Sequence, residues 1–373
     1  MNPPAARVIS IQHPRTLVFG AGCIAQCAQD LVAQNRFSAF IVTSPPTRAL
    51  CAPLEVPGAT VWDGIKQEPT VADFKNALAA ARKVKPDAVI GVGGGSVLDV
   101  AKLIAAFVNN EQDISETFGI GKLSGRSVWL ACLPTTAGTG SEVSPNAILL
   151  DESDQLKKGV ISPHLMPDAA YVDPALTLTV PPAITGATGL DALTHCIEAY
   201  ANKFAHPMID MYALEGIRLI SSNLKRAYDH GQDLEARTNL AMGSMYGGIC
   251  LGPVNTGAVH ALSYPLGGEF HVPHGVANAV LLSHVIEFNL PAAPKRYAEI
   301  AAALGARTPE EGVSILRGLV RGCGIPLRLS DLKIPENAIE RMAKSAMTVT
   351  RLLDRNVRTV TLEDAINIYR KAF

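Results

Sequence analysis

Over roughly its first half the chain alternates short apolar runs with segments of helical period. RTLVFG (15–20), AFIVTS (39–44), PDAVIGVGGG (86–95) and VWLACLPTTAGTGSE (128–142) read as strands; the last two run out into glycine- and threonine-rich turns. Between them IAQCAQDLVAQ (24–34), VADFKNALAAARKV (71–84) and SVLDVAKLIAAFVN (96–109) read as helices. NAILLD (146–151), KKGVIS (157–162) and AAYVDP (169–174) are three further strand candidates. Such alternation predicts a parallel α/β sheet, because a helical crossover returns each strand in the direction of the last. After VPPAITG (180–186) the pattern changes to long, Ala-rich segments of helical period, from GLDALTHCIEAYANKF through GVANAVLLSHVIEFN to LEDAINIYRKAF. A chain of 373 residues also exceeds one ordinary core. We therefore expect an α/β dinucleotide-binding domain over 1–182 and an all-helical domain over 183–373, divided at Pro181–Pro182.

Composition narrows the partners. Apolar residues make up 48% and charged residues 18%, which suits a well-buried globular chain. A formal net charge of -1 gives no basis for binding nucleic acid or an anionic membrane surface. Seven cysteines, an odd number with no CxxC pair, read as reduced thiols of a cytoplasmic protein. The opening MNPPAARVIS has no apolar signal region, and no apolar run reaches membrane-spanning length.

GVGGGSVLDVAK (91–102) follows an apolar strand and opens a helix. Residues without a Cβ let a pyrophosphate approach the backbone, and a helix N-terminus offers free N–H groups. The loop is neither a regular GxGxxG nor a P-loop, so a plain tight turn is the competing reading. Ser96 and Asp99 fit an [ST]-x-x-[DE] cap as well as a ligand contact. A second loop, PTTAGTGSE (134–142), ends another strand. Two such loops at strand ends favour a nucleotide crevice.

GLDALTHCIEAY (189–200) puts Asp191 and His195 one helical turn apart, among the core-like Leu190, Leu193 and Ile197. Downstream, AVHALSYPLGGEFHVPHGVANAVLL (258–282) contains His260, His271 and His274. Asp191, His195, His260 and His274 would give one oxygen and three imidazole nitrogens, a set suited to Fe(II) or Zn(II). The alternative is a group of unrelated histidines.

Taken in order, GVGGGSVLDVAK, PTTAGTGSEVS, YVDPALTLTVPP, GLDALTHCIEAY and HALSYPLGGEFHVPHGVANAVLL resemble the motifs of the iron-containing (group III) alcohol dehydrogenases, from about Val18 to the C-terminal end. The resemblance implies the two-domain, dehydroquinate synthase-like architecture, with cofactor and metal held in a cleft between the domains. It implies Asp191, His195, His260 and His274 as metal ligands, with Fe(II) favoured over Zn(II). By the same resemblance Gly93, Gly94, Gly95 and Ser96 cradle the pyrophosphate, and Thr135, Thr136 and Thr139 lie along the ribose and nicotinamide. Lys158 matches a family lysine near the nicotinamide ribose. The implied activity is NAD- or NADP-dependent interconversion of a small alcohol and its aldehyde or ketone, in a homodimer.

The chain departs from that pattern in three places. Many members carry a second histidine four residues after the one matching His260; here it is Tyr264, so proton relay falls to Tyr264, to His271 or to water. NAD-preferring members often end the second strand with an acidic residue; here Ser44 stands there with Arg48 close by, which predicts that NADP is accepted. Finally, ICLGPVNTGAVHALSYPLGG (249–268) partly resembles the maleylacetate reductase branch, which reduces acidic keto or enol substrates and commonly lacks the full metal set. Asp191 argues for the metal-dependent side. A dehydroquinate synthase-like lyase is a further alternative, distinguished by the absence of net NAD(P)H consumption.

Overall fold

The computed structural model describes residues 6–54, 56, 58–65, 68–153 and 156–373. Two compact units emerge. One holds residues 12–136 and 140–179; the other holds residues 6–11, 137–139 and 180–373.

In the first unit the elements are β1 (Thr16–Phe19), α1 (Ile24–Ala33), β2 (Ala39–Val42), β3 (Thr60–Trp62), α2 (Val71–Val84), β4 (Ala88–Gly93), α3 (Gly95–Phe107), the one-turn α4 (Ile114–Thr117), β5 (Gly119–Ile120), β6 (Trp129–Pro134), β7 (Asn146–Asp151), β8 (Leu156–Ile161) and β9 (Ala169–Val172). Among the described residues six strands form one all-parallel sheet in the order β1-β9-β6-β4-β2-β3. Its interior strands β2 and β4 are buried along their whole length, as expected of a sheet covered on both faces. The alternation in sequence led us to expect β7 and β8 in that sheet. They instead pair antiparallel with each other and join β5 in a separate three-stranded sheet. Only four residues separate them in sequence, and a parallel pair needs a longer crossover.

Local chemistry sets the helix boundaries. Thr70 and Asp73 close a reciprocal capping box at the start of α2, and Lys85 ends it in the left-handed conformation. α3 starts differently from the sequence expectation. Gly94 is its N-cap, so Ser96 and Asp99 lie inside the helix and form no capping box. Glycine is needed at position 93 for a packing reason, since a Cβ there would stand 2.5 Å from the Val97 side chain. α3 can therefore lie close against β4.

The second unit is helical: α5 (Pro182–Tyr200), α6 (Pro207–Asp229), α7 (Leu234–Leu251), α8 (Ala258–Phe270), α9 (His274–Asn289), α10 (Pro294–Ala303), α11 (Pro309–Gly322), α12 (Ile339–Ala346), α13 (Thr350–Leu353) and α14 (Leu362–Ala372). α5 begins at Pro182, within the segment read from sequence as a break, because proline is well suited to a first helical position. α8 holds Pro265 in its interior, yet burial of Val259, Leu262 and Leu266 keeps the segment helical. Each such side chain contributes about 1.5–3 kcal/mol when fully buried. No helix among the described residues is long and apolar enough to cross a membrane.

Candidate functional site

α5 carries Asp191 and His195 on its buried side, with side-chain exposures of only 4% and 7%. α8 supplies His260 and α9 begins with His274. Asp191 Oδ1 lies 3.8 Å from His195 Nε2, 3.5 Å from His260 Nε2 and 3.6 Å from His274 Nε2. The His195 and His260 rings stack at 4.8 Å, and the His260 and His274 rings meet edge-on at 5.3 Å. The structure thus brings the four residues singled out from sequence to one place. Ligand atoms of Asp191, His195 and His260 lie within 4.8 Å of one another, close enough to share a metal ion.

Two further residues, which sequence reasoning missed, complete the cluster. Glu198 is buried on α5, and its Oε2 lies 2.5 Å from His260 Nδ1 while its Oε1 accepts from the Val259 N–H at 2.6 Å. With Nδ1 held by Glu198, His260 presents Nε2 to Asp191. That is the carboxylate–histidine arrangement that orients a metal ligand. Asn278 on α9 donates its amide to Asp191 Oδ1 at 2.7 Å, and the same nitrogen stands 3.2 Å from His260 Nε2 and 3.3 Å from His274 Nε2. Its Oδ1 is buried without a hydrogen-bond partner. One carboxylate oxygen and two imidazole nitrogens converge on a single amide group, a donor set that fits a cation. The spacing held the signal for both residues: Glu198 lies seven after Asp191 and Asn278 four after His274, on the same helix faces.

The electrostatics agree. Burial pushes the Asp191 carboxyl up, but the imidazoles of His195, His274 and His260 outweigh it and hold it well below the usual range. Burial pulls His260 down, yet Glu198 and Asp191 raise it to about 10. Burial lowers His195. Two carboxylates in a buried pocket thus bias it toward positive charge.

His274 is the donor with appreciable exposure, 30% of its side chain against 4–7% for the other three. Beside it stands Tyr264, with ring centroids 6.4 Å apart. His271 is exposed and caps the C-terminal end of α8 at φ 53°. Gly275 follows His274 directly; a Cβ there would come within 2.1 Å of the Ala187 carbonyl oxygen on α5. This close approach of α9 to α5 sets where His274 sits.

The first unit presents a second candidate region at the carboxyl ends of β2, β4 and β6. Gly94, Gly95 and Ser96 are half-buried at the start of α3, where the Gly95 and Ser96 N–H groups have no intrahelical acceptor. Gly93 is buried in the strand–helix junction. Thr135 is buried at 1% exposure, and its hydroxyl has no hydrogen-bond partner; Thr136 is half-buried nearby, its side chain 3.4 Å from where a Cβ on Gly94 would stand. An open helix N-terminus beside an unsatisfied hydroxyl fits a pyrophosphate. Thr139 clusters with the helical unit. Asp99 turns away from the helix start, accepting from Ser141 Oγ at 2.6 Å and from the Ile148 N–H at 2.9 Å. Lys158 lies on β8, 2.7 Å from Asp151, which it holds at about 2. Ser44 follows β2 and caps the short turn after it, its Oγ 2.7 Å from Thr47 Oγ1, and exposed Arg48 pairs with Asp63 at 2.8 Å.

Residues 14–174 match the family model for iron-containing alcohol dehydrogenase, and residues 185–373 match the C-terminal model of the Fe-containing alcohol dehydrogenase family. Alcohol dehydrogenase 4 of Saccharomyces cerevisiae (strain YJM789) is 36% identical over 372 residues, covering 96% of this chain and 97% of that protein. The solved structure of a 1,3-propanediol oxidoreductase superposes with a TM-score of 0.95 at 32% identity, covering 98% of this chain and all 100% of the other. A sulfoacetaldehyde reductase from Bifidobacterium kashiwanohense, solved in complex with NAD+, superposes with a TM-score of 0.91 at 26% identity, covering 98% and 99%.

Proposed function

The chain belongs to the iron-containing alcohol dehydrogenase family and is a metal-dependent alcohol oxidoreductase; from that premise we propose how its residues divide the work. Asp191, His195, His260 and His274 hold one divalent metal, and the observation that carries this is their convergence around Asp191 Oδ1. Fe(II) is the resident ion we infer from the family, with Zn(II) able to use the same donors. When bound, the metal and a nicotinamide dinucleotide supply Lewis-acid polarisation of the alcohol or carbonyl oxygen and hydride transfer.

This chain's own groups then bind and orient. Glu198 fixes the His260 tautomer so that Nε2 faces inward. Asn278 tethers Asp191. The exposed edge of His274 marks the side from which a small alcohol or aldehyde reaches the centre. Gly94, Gly95 and Ser96 receive the pyrophosphate at the α3 N-terminus, and the Thr135 hydroxyl turns to the cofactor. Asp99 and Lys158 act indirectly, the first by anchoring α3 and the second through its pair with Asp151. Of the two proton-handling residues singled out from sequence, Tyr264 is the one beside His274.

NADP is accepted as well as NAD. Ser44 brings no negative charge to repel a 2′-phosphate, and the exposed Arg48–Asp63 pair is cheap to rearrange toward one. The catalytic efficiencies with NADPH and NADH then fall within about a hundredfold of each other, and Arg48→Ala weakens NADPH selectively. A larger gap in favour of NADH contradicts this. The family also points to a homodimer, which sedimentation equilibrium tests.

The activity itself is tested by nicotinamide oxidation with a panel of small aldehydes, using protein loaded with Fe(II) or Zn(II). Net consumption of NAD(P)H, lost on chelation and regained with metal, is the expected result. Substrate conversion without net consumption would point to the lyase reading.

A further inference from the structure

The surroundings of Tyr264 go beyond a proton path. Its hydroxyl accepts from Arg351 Nη2 at 3.0 Å. Arg351 lies on α13, which packs on α8, and it is half-buried. Among the described residues no carboxylate lies within ion-pair distance of its guanidinium. The charge nearby is instead of the same sign: Arg351 and Arg7 both add to the burial that pulls Arg355 down. Arg355 is committed elsewhere, donating to the Val254 carbonyl at 2.8 Å and lying over the Phe204 ring at 4.9 Å. Arg351 has five N–H donors, and among the described residues it forms a single hydrogen bond, to the Tyr264 hydroxyl. A partly desolvated guanidinium without an anion is costly to keep. It is joined through Tyr264 to His274, the most exposed of the four clustered donors.

We propose that Arg351, with the Tyr264 hydroxyl, is the seat for an anionic group on the substrate, so that the preferred substrates are short aldehydes and alcohols bearing a carboxylate or sulfonate at the far end. This rests on the oxidoreductase reading above. Arg351 sets specificity: its planar N–H groups donate to the anion bidentately while the carbonyl or hydroxyl end points to the His274 side. Tyr264 keeps its own O–H to donate to the same anion, which makes it a binding group here.

The test compares 4-oxobutanoate with butanal, two aldehydes of equal chain length, on metal-loaded enzyme. We expect the wild type to favour 4-oxobutanoate. Arg351→Gln should cut the ratio of the two kcat/KM values by about 10- to 100-fold, mainly through the KM for 4-oxobutanoate. Arg351→Lys should restore part of the ratio, and Tyr264→Phe should lower it. Wild type that prefers butanal, or a ratio unmoved by Arg351→Gln, overturns the proposal. Calorimetric binding of butanoate to the metal-loaded proteins reads the same seat without turnover. If neither aldehyde is reduced, the activity assignment fails, and the butanoate result alone decides: weaker binding to Arg351→Gln supports the anion seat, and equal binding rejects it.

Discussion

Glu198 reaches His260 from the same helix that carries Asp191 and His195, so one helix supplies two donors and the orientation of a third. Replacing it with glutamine keeps the volume and removes the charge. We predict that Glu198→Gln lowers metal affinity by roughly 10- to 100-fold, read by competition with a chromophoric chelator. Affinity equal to wild type would show that Glu198 only fills space. At this scale much was legible from sequence. Asp191 and His195 announce themselves by a four-residue step, and the fourteen-residue step from His260 to His274 belongs to a distinctive motif. Glu198 and Asn278 shared those helical faces but looked like ordinary polar positions. Arg351 gave no signal, because its contact with Tyr264 spans 87 residues of sequence and exists only in the packed unit.

Helices matter here through how closely they approach. The Gly275 position brings α9 against the α5 backbone, and backbone cannot yield as the end of a flexible side chain can. Gly275→Ala should therefore shift the start of α9 and His274 with it. We expect a loss of about 1–3 kcal/mol in denaturant unfolding, together with weaker metal binding. Stability and affinity both at wild-type values would show that the helix pair tolerates the displacement. Helical periodicity was readable for α2, α6, α12 and α14, whose buried apolar residues recur on one face. It failed for α8, where Pro265 and the pair Gly267 and Gly268 hide the period, and for β7 and β8, whose pairing depends on how few residues separate them rather than on their own pattern.

For the whole molecule, the sequence indicated an α/β half followed by a helical half because each class carries its own repeat of apolar residues. The structure assigns residues 137–139, within the PTTAGTGSE loop, to the helical unit's cluster, and no local pattern could announce that. Binding to the native state alone raises stability by mass action. An ion present at a thousandfold excess over its dissociation constant adds about 4 kcal/mol. Chelation should accordingly lower the melting midpoint of wild type, and Asp191→Ala should melt at one temperature with or without the ion. The central claim is that these four side chains hold a metal, and metal content per chain tests it most directly, on protein purified anaerobically without chelator. The account predicts about one ion per wild-type chain and none in Asp191→Ala. No ion in wild type after reconstitution with Fe(II) or Zn(II), or an ion retained by the variant, would contradict it.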